Sequence, residues 1–532
     1  MPVIDVQING HEGTYYLHPD LSYYIGDQRS VFDPGYSSYV LTVDIPPGYL
    51  NQGKNSISLS AVQQQHASLQ QDNPSSLHYD AIALSNDLLH VYKANTINAM
   101  VMPTVFYKET TGHLFEIVEA FLRFGKATPA RDVALDVNGK RYAQRISAMK
   151  DFGEERVEFD VPEWTGTLPA HLTIGNHAKQ SFPLSLTASR KWTLFVVPHT
   201  HVDVGFADYQ GKVTEAQART LDQAMNLIEQ NPGFRFTTDG SWNVEQFLTT
   251  RSQEKQKEFL RLVREDKIGV PAQYANLLTG YASLETLYRS LYYSKRLSLR
   301  YELPFTYANT TDIPTYTGAY PSILASAGIK YWVVGGDNAR APILSHEPWN
   351  EKSPFRWEGP DGKKVLFWYA RCYSQIMFLF GLPPHQAAVY ENLPIFLQAY
   401  SKPDYKPNVA LIYGAQPENT DLYPRIARFA TTWDQDFAYP KLQYATFADF
   451  FRYLDKHYGN EIPTYKGDMG PYWEDGVGSD AEYTAEDRQN QSNALSTEIV
   501  STISHNVVPY VHPPKAELDD IWKNIELYAE HT

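Results

Sequence analysis

At 532 residues the chain exceeds one ordinary core, and at roughly 150 residues per domain it predicts three or four domains. It carries 46 basic against 61 acidic side chains, a net charge of −15 that disfavours a nucleic-acid backbone as partner, and its one cysteine, Cys372, excludes an internal disulfide and a cysteine-based zinc site. No apolar run of roughly 18 residues is present to span a membrane, and Met1-Pro2-Val3-Ile4 does not open an export signal.

From residue 1 to about 190 the apolar residues recur with period two, the pattern of half-buried strands. Leu41, Val43 and Ile45 alternate up to Pro46-Pro47-Gly48, and Ile57 and Leu59 do so after Gly53-Lys54-Asn55. Val133, Leu135 and Val137 run into Asn138-Gly139, a pair that tolerates the positive φ of a tight hairpin turn. Val157, Phe159 and Val161 add another strand. Short strands at this spacing predict two β-sandwich modules, over 1–93 and 94–190, with the Gln- and Ser-rich stretch 63–76 as a loop in the first and the boundary near Lys93.

The pattern changes at Trp192. Trp192-Thr193-Leu194-Phe195-Val196-Val197 is a continuous strand-length run, as burial on both faces requires. Residues 210–230 then show helical spacing, with Val213, Ala216, Leu221, Ala224 and Ile228, and stop at Asn231-Pro232-Gly233. Strand-like runs recur at 234–238, 267–270, 305–311, 331–335, 365–370 and 409–414. Helical stretches lie between several of them, such as Leu284, Leu287, Tyr288 and Leu291 behind a Ser283 cap. This alternation over 191–445 predicts a parallel sheet, most simply a (β/α) barrel of seven or eight strands with its site at the C-terminal strand ends. The segment 446–532 reads as helical. Thr446 and Asp449 make a capping box ahead of Phe450, Phe451 and Leu454, and Leu518, Ile521, Trp522, Ile525 and Tyr528 form a second stripe.

The first barrel strand ends in Pro198-His199-Thr200-His201-Val202-Asp203-Val204-Gly205-Phe206. His201 and Asp203, two apart at a strand end, point the same way and can share a cation, but a zinc site wants four ligands. Metallo-β-lactamase-type hydrolases use H-x-H-x-D-H, and here Val204 stands where the last His would be. Arg289, Asp239 and Asn276 lie near strand ends or a helix and can bond a sugar or orient ligands; caps and surface ion pairs explain them equally well.

Taken with Ser241-Trp242-Asn243-Val244-Glu245-Gln246-Phe247, Ser283-Leu284-Glu285-Thr286-Leu287-Tyr288-Arg289, Asn309-Thr310-Thr311-Asp312-Ile313-Pro314 and Tyr528-Ala529-Glu530-His531-Thr532, that strand end resembles glycoside hydrolase family 38, the retaining α-mannosidases. The resemblance implies one divalent cation, usually zinc, held by His201, Asp203, Asp312 and His531 and gripping the cis hydroxyl pair of mannose. It makes Asp312 the nucleophile as well, and leaves His199 outside the ligand set. The stretch from Tyr413 to Asp421 lacks the family's glycine run, and Glu418 and Asp421 are the candidates for general acid. Pro471-Tyr472-Trp473-Glu474-Asp475-Gly476 resembles the family's aromatic segment, so Tyr472 and Trp473 are expected to stack on sugar, with Arg289 and Asn276 as further substrate contacts.

A second resemblance covers the first module. Asp27-Gln28-Arg29-Ser30-Val31-Phe32, Ile45-Pro46-Pro47-Gly48-Tyr49-Leu50, Gly53-Lys54-Asn55-Ser56-Ile57-Ser58-Leu59 and Tyr79-Asp80-Ala81-Ile82-Ala83-Leu84 are similar to the C-terminal jelly-roll domain of family 4 polysaccharide lyases, which implies a carbohydrate-associated sandwich. Members of family 38 continue past the His of the last motif, so the chain is expected to be a piece lacking C-terminal domains, with the stripe on 515–530 exposed and prone to association. A carbohydrate substrate places the expected site of action outside a bacterial cell, in the medium or the periplasm. Two other readings stay open: a carbohydrate-binding protein on a barrel without catalysis, and a hydrolase of esters or amides using metal-bound hydroxide.

Overall fold

The structure, a computed structural model, describes residues 3–16, 41–62, 82–84, 97–175, 180–337, 352–370, 372–415, 421–470, 473–508 and 510–531. The motif at Asp27–Phe32, the loop 63–76, Tyr79-Asp80-Ala81, the boundary at Lys93, and the site candidates Glu418 and Tyr472 lie outside the described residues.

Strands β1 (Val3–Ile8), β2 (His11–Tyr16) and β3 (Ile57–Val62) form an antiparallel sheet in the order β2-β1-β3. Leu41, Val43 and Ile45 join no ladder among the described residues; they lie partly buried against a small core of Val6, Ile8, Tyr15 and Phe152. Their alternation encodes one half-buried face, which the chain satisfies without pairing.

Two further antiparallel sheets follow. One holds β4 (Ile97–Thr110), β5 (His113–Phe124) and β8 (Gly153–Pro162); the other runs β10-β9-β6-β7, with β6 (Arg131–Val137), β7 (Lys140–Ile146), β9 (Thr167–Ile174) and β10 (Gln180–Thr187). Val118, Leu122 and Phe159 from the first meet Val133, Leu135 and Leu172 from the second in a single core, so the two sheets pack face to face. Asn138 and Gly139, at φ 48° and 79°, turn β6 into β7 as the sequence predicts.

The rest of the chain alternates strands and helices. The continuous run becomes β11 (Thr193–His199), buried from Leu194 onward, and leads into α1 (Gln210–Gln230). Then come β12 (Phe236–Thr237), α2 (Ser241–Thr250), α3 (Gln253–Arg264), β13 (Ile268–Gly269), α4 (Leu284–Arg289), α5 (Tyr292–Tyr301) and β14 (Tyr307–Asp312). The remaining strands are β15 (Tyr331–Gly336), β16 (Phe355–Glu358), β17 (Lys364–Ala370), β18 (Val409–Ala415), β19 (Lys441–Tyr444) and β20 (Thr464–Lys466).

Where a (β/α) barrel of seven or eight strands is expected, strand pairing gives two five-stranded sheets: β13-β12-β11-β18 with β19 beside β11, and β14-β15-β17-β16-β20, where β16 runs antiparallel to β17. Among the described residues the sheets meet through isolated bonds, Ala272 N–H to the Tyr307 carbonyl at 2.9 Å and a bridge between Ser374 and Gly414. The two-residue strands β12 and β13 are too short to extend a ladder across the seam. The C-terminal ends of β11, β12 and β14 nonetheless converge, and there the candidate residues sit.

The helix Phe447–Tyr458 starts on the predicted box: Thr446 Oγ1 accepts from the Asp449 N–H, and Asp449 Oδ2 accepts from the Thr446 N–H. The helix Lys515–Tyr528 turns Leu518, Trp522 and Ile525 inward, so its stripe is mostly covered; only Ile521 stands out. The exposed apolar stripe belongs to the helix Ala481–Val507, at Leu495, Ile499, Val500, Ile503 and Val507.

Candidate active site

His201 and Asp203 leave the end of β11, Asp312 is the last residue of β14, and His531 follows the helix Lys515–Tyr528. One ligand atom from each of these four buried residues lies within 4.8 Å of the others. Nε2 of His201 is 3.2 Å from Oδ1 of Asp203, and Nε2 of His531 is 3.3 Å from that oxygen and 3.2 Å from Oδ2 of Asp312. Neither nitrogen has a hydrogen-bond partner of acceptable geometry. Buried donor atoms aimed at one another without bonding are what a cation would satisfy. A set of two imidazoles and two carboxylates suits zinc and several other divalent ions.

Nδ1 of His201 is held by Oδ2 of Asp239 at 3.1 Å, whereas Nδ1 of His531 lies 2.6 Å from Oε1 of Glu530 as an ion-pair contact without hydrogen-bond geometry. A carboxylate only accepts, so a neutral His201 ring carries its proton on Nδ1 and turns Nε2 to the cluster. Asp239 takes five bonds: from His201, the Val202 N–H and Asn276 on Oδ2, and from Asn309 and the Thr311 hydroxyl on Oδ1. Burial would raise its carboxyl, but the His201 bond and charge outweigh that and hold it below the usual carboxylate range. Burial likewise would lower the His201 imidazole, and Asp203 and Asp239 instead lift it to about 10. His531 is lifted too, by Glu530 first and then Asp203 and Asp312, against the same burial. The pocket is therefore strongly attractive to positive charge.

Asp312 differs from the other three. Its side chain is 11% exposed, against 6% for Asp203 and none for either histidine, so it forms the open side of the cluster. Its φ of 72° is unusual for a residue other than glycine, a strain of about 1–3 kcal/mol that tends to be kept at functional positions.

His199 lies outside the four: it is fully buried, with Nδ1 2.6 Å from the Thr200 carbonyl and its ring edge-on to Tyr413, and burial pulls it down to about 4. Several residues expected to touch substrate are placed elsewhere. Asn276 is buried with both ends of its amide bonded within the protein. Arg289 is neutralised by Glu285 and Glu498 and lies over Trp522, joining α4 to the last helices. Trp473 is 7% exposed and belongs to a core with Trp332 and Trp357. Asp421 pairs with Arg219 of α1 at 2.7 Å, and that bond holds its carboxyl low, the opposite of what a general acid needs. Glu530 carried no assigned role in the sequence; its signal is adjacency to His531 in a helix-end motif. Phe206, three residues past Asp203 and 80% exposed, is a second residue the sequence left unassigned.

The helix that delivers His531 carries a buried acid. Glu526 is 5% exposed, and burial pushes its carboxyl up to about 8, with Arg296 and Arg289 pulling back and Glu245 adding to the rise. The native state then keeps a proton that the unfolded chain loses near 4.5, so stability contributed at low pH is lost as pH rises from about 4.5 through about 8. Glu526→Gln is expected to flatten this decline. Melting temperatures across that range should fall more steeply for the parent than for the variant, and parallel slopes would contradict the assignment.

Three comparisons bear on the chain as a whole. No curated protein matches it. The structure of an α-mannosidase from Enterococcus faecalis V583 aligns with a TM-score of 0.50 at 16% identity, over 63% of this chain and 38% of that one. A family 38 glycosyl hydrolase protein from Enterococcus faecalis aligns with a TM-score of 0.45 at 17% identity, over 64% and 35%. The chain thus spans well under half the length of either, and the likeness to the first is one of fold. The model of the glycosyl hydrolases family 38 N-terminal domain matches residues 191–468, from the strand that ends in His201 and Asp203 to just beyond β20. That match takes in more than half of the 532 residues and contains three of the four clustered side chains, and the chain belongs to glycosyl hydrolases family 38.

Proposed function

We propose that this chain houses the active site of a metal-dependent, retaining glycoside hydrolase of the α-mannosidase type, cleaving α-linked mannose or a related cis-diol sugar. The observation that carries the reading is the buried convergence of His201, Asp203, Asp312 and His531 within 4.8 Å. These four would hold one divalent cation, with zinc the first choice for two nitrogen and two oxygen donors. When bound, the ion supplies Lewis acidity and a grip on a vicinal hydroxyl pair.

The side chains perform the rest. Asp312, on the open side, attacks the anomeric carbon; the glycosidic bond breaks, and an ester joins sugar to Asp312. The departing oxygen takes a proton from a carboxylic acid, which then, as carboxylate, takes a proton from water; that water displaces Asp312 and releases the sugar. Arg219 keeps Asp421 ionised, which supports Glu418 over Asp421 as that acid. The exposure of Phe206, three residues past Asp203 in the same motif, supports a role for its ring under the apolar face of the sugar. The N-terminal β-module is proposed as a carbohydrate-associated sandwich, and glycans outside the cell as the substrate pool.

Hydrolysis of an aryl α-mannoside tests the reading. Activity should vanish with a chelator and return with zinc. A zinc-loaded chain that cleaves no α-mannoside, or one indifferent to chelation, would sink it.

A further inference from the structure

We infer that Asn276 is the positioning residue that locks three of the four clustered side chains into one geometry, so that the cation site and the docking of the last helix form together. The inference rests on the metal reading above. Asn276 lies beyond β13, is 3% exposed, and bonds to none of the four cluster side chains directly. Its bonds go instead to the support of each. Nδ2 donates to Oδ2 of Asp239 at 2.8 Å, the oxygen that also holds His201. Oδ1 accepts from the N–H of Thr311 at 3.1 Å, the residue before Asp312. The main-chain carbonyl accepts from the N–H of His531 at 3.0 Å.

The last contact is the end of a short antiparallel pairing: the Leu278 N–H donates to the Ala529 carbonyl at 2.8 Å, and Leu277 bridges to Glu530. One residue thereby joins the ends of β12 and β14 to the segment that ends the terminal helix. The chemistry demands an amide, because one end must donate to a carboxylate while the other accepts from a peptide N–H. An Asp there would set a second buried carboxylate against Asp239, and an Ala would leave the Thr311 N–H buried without a partner. Thr311 and Asn309 in turn share the hydroxyl of Tyr413, at 2.8 and 2.5 Å, so the brace reaches β18 as well.

The test uses the full chain and reads metal binding rather than turnover. Zinc affinity, the ligand-field spectrum of the Co2+-loaded protein, and melting temperature with zinc or with chelator are measured for the parent, Asn276→Ala, Asp239→Asn and the double variant. Loss of an outer partner costs roughly 10–100-fold in metal affinity. Asn276→Ala is expected to fall in that range, to alter the Co2+ spectrum, and to shrink the zinc-induced rise in melting temperature. The double variant should lose less than the sum of the two singles, because the Asn276–Asp239 bond is common to both. If Asn276→Ala does not fold, Asn276→Ser, which is uncharged and keeps a polar atom, carries the same expectations. A variant that melts lower by the same amount with and without zinc, with affinity and spectrum unchanged, has only a structural asparagine there, and the inference is overturned. A parent that binds neither Zn2+ nor Co2+ overturns the metal reading itself, an outcome distinct from failure of Asn276 alone.

Discussion

Asp312→Asn is expected to cut turnover of an aryl α-mannoside by roughly 10,000-fold or more, a barrier increase of about 5 kcal/mol, while the sugar still binds. The amide matches the carboxylate in shape and keeps an oxygen for a cation, but it is no nucleophile at the anomeric carbon. The effect should appear in kcat with KM little changed, since an interaction made only on the way to the ester is lost. Three readings part here. A retaining glycosidase loses turnover, and mass spectrometry of the parent with an activated fluoro-sugar finds an adduct on Asp312. A carbohydrate-binding protein has no turnover to lose in the first place. A hydrolase using metal-bound hydroxide would lose activity through weaker metal binding, recover it in excess zinc, and show no adduct. Persistence of more than about a tenth of parental kcat would remove Asp312 from the nucleophile's role, one decade being 1.36 kcal/mol of barrier.

How far this was legible in the sequence depends on the range of the signal. Local signals read directly: the apolar run at Trp192–Val197 is a buried strand, residues 210–230 form a helix with those bounds, and Asn138-Gly139 turns a hairpin. His201 and Asp203 are neighbours in one motif, and period two at a strand end places them together. Asp312 and His531 came from family resemblance, since no spacing rule links residues so far apart. Their supports were harder still. Asp239 and Asn276 look like caps or surface groups until the fold shows both buried and bonded to each other at 2.8 Å. The division into two paired sheets was not legible, because a run of strands says nothing about the length of each ladder, and two of them, β12 and β13, are only two residues long. The exposed stripe on the helix Ala481–Val507 escaped notice because Ser496, Thr497, Ser501, Thr502 and Ser504 interleave with it and dilute the apolar period.

His531→Ala is the second large effect, and it isolates the contribution of the last helix to the site. The ring is fully buried between Asp203 and Asp312, its Nδ1 faces Glu530, and its main-chain N–H is bonded to Asn276. Removing it leaves three ligands, two of them carboxylates, and deletes the donor that separates Asp203 from Asp312. Zinc affinity should then fall by more than the roughly 10–100-fold expected for an outer partner such as Glu530, for which Glu530→Gln is the matched control. Activity at low zinc should vanish and return in part at high zinc, because the nucleophile and His201 are untouched. That graded rescue separates a lost ligand from a lost fold. If the two variants weaken zinc equally, His531 acts only as packing for the helix end. If neither responds to zinc at any concentration, the helix terminus does not seat against β11 and β14 in solution. The last helix thus does more than cover the core: it brings His531 into the cluster, and the pairing of 276–278 with 529–531 ties its end in place.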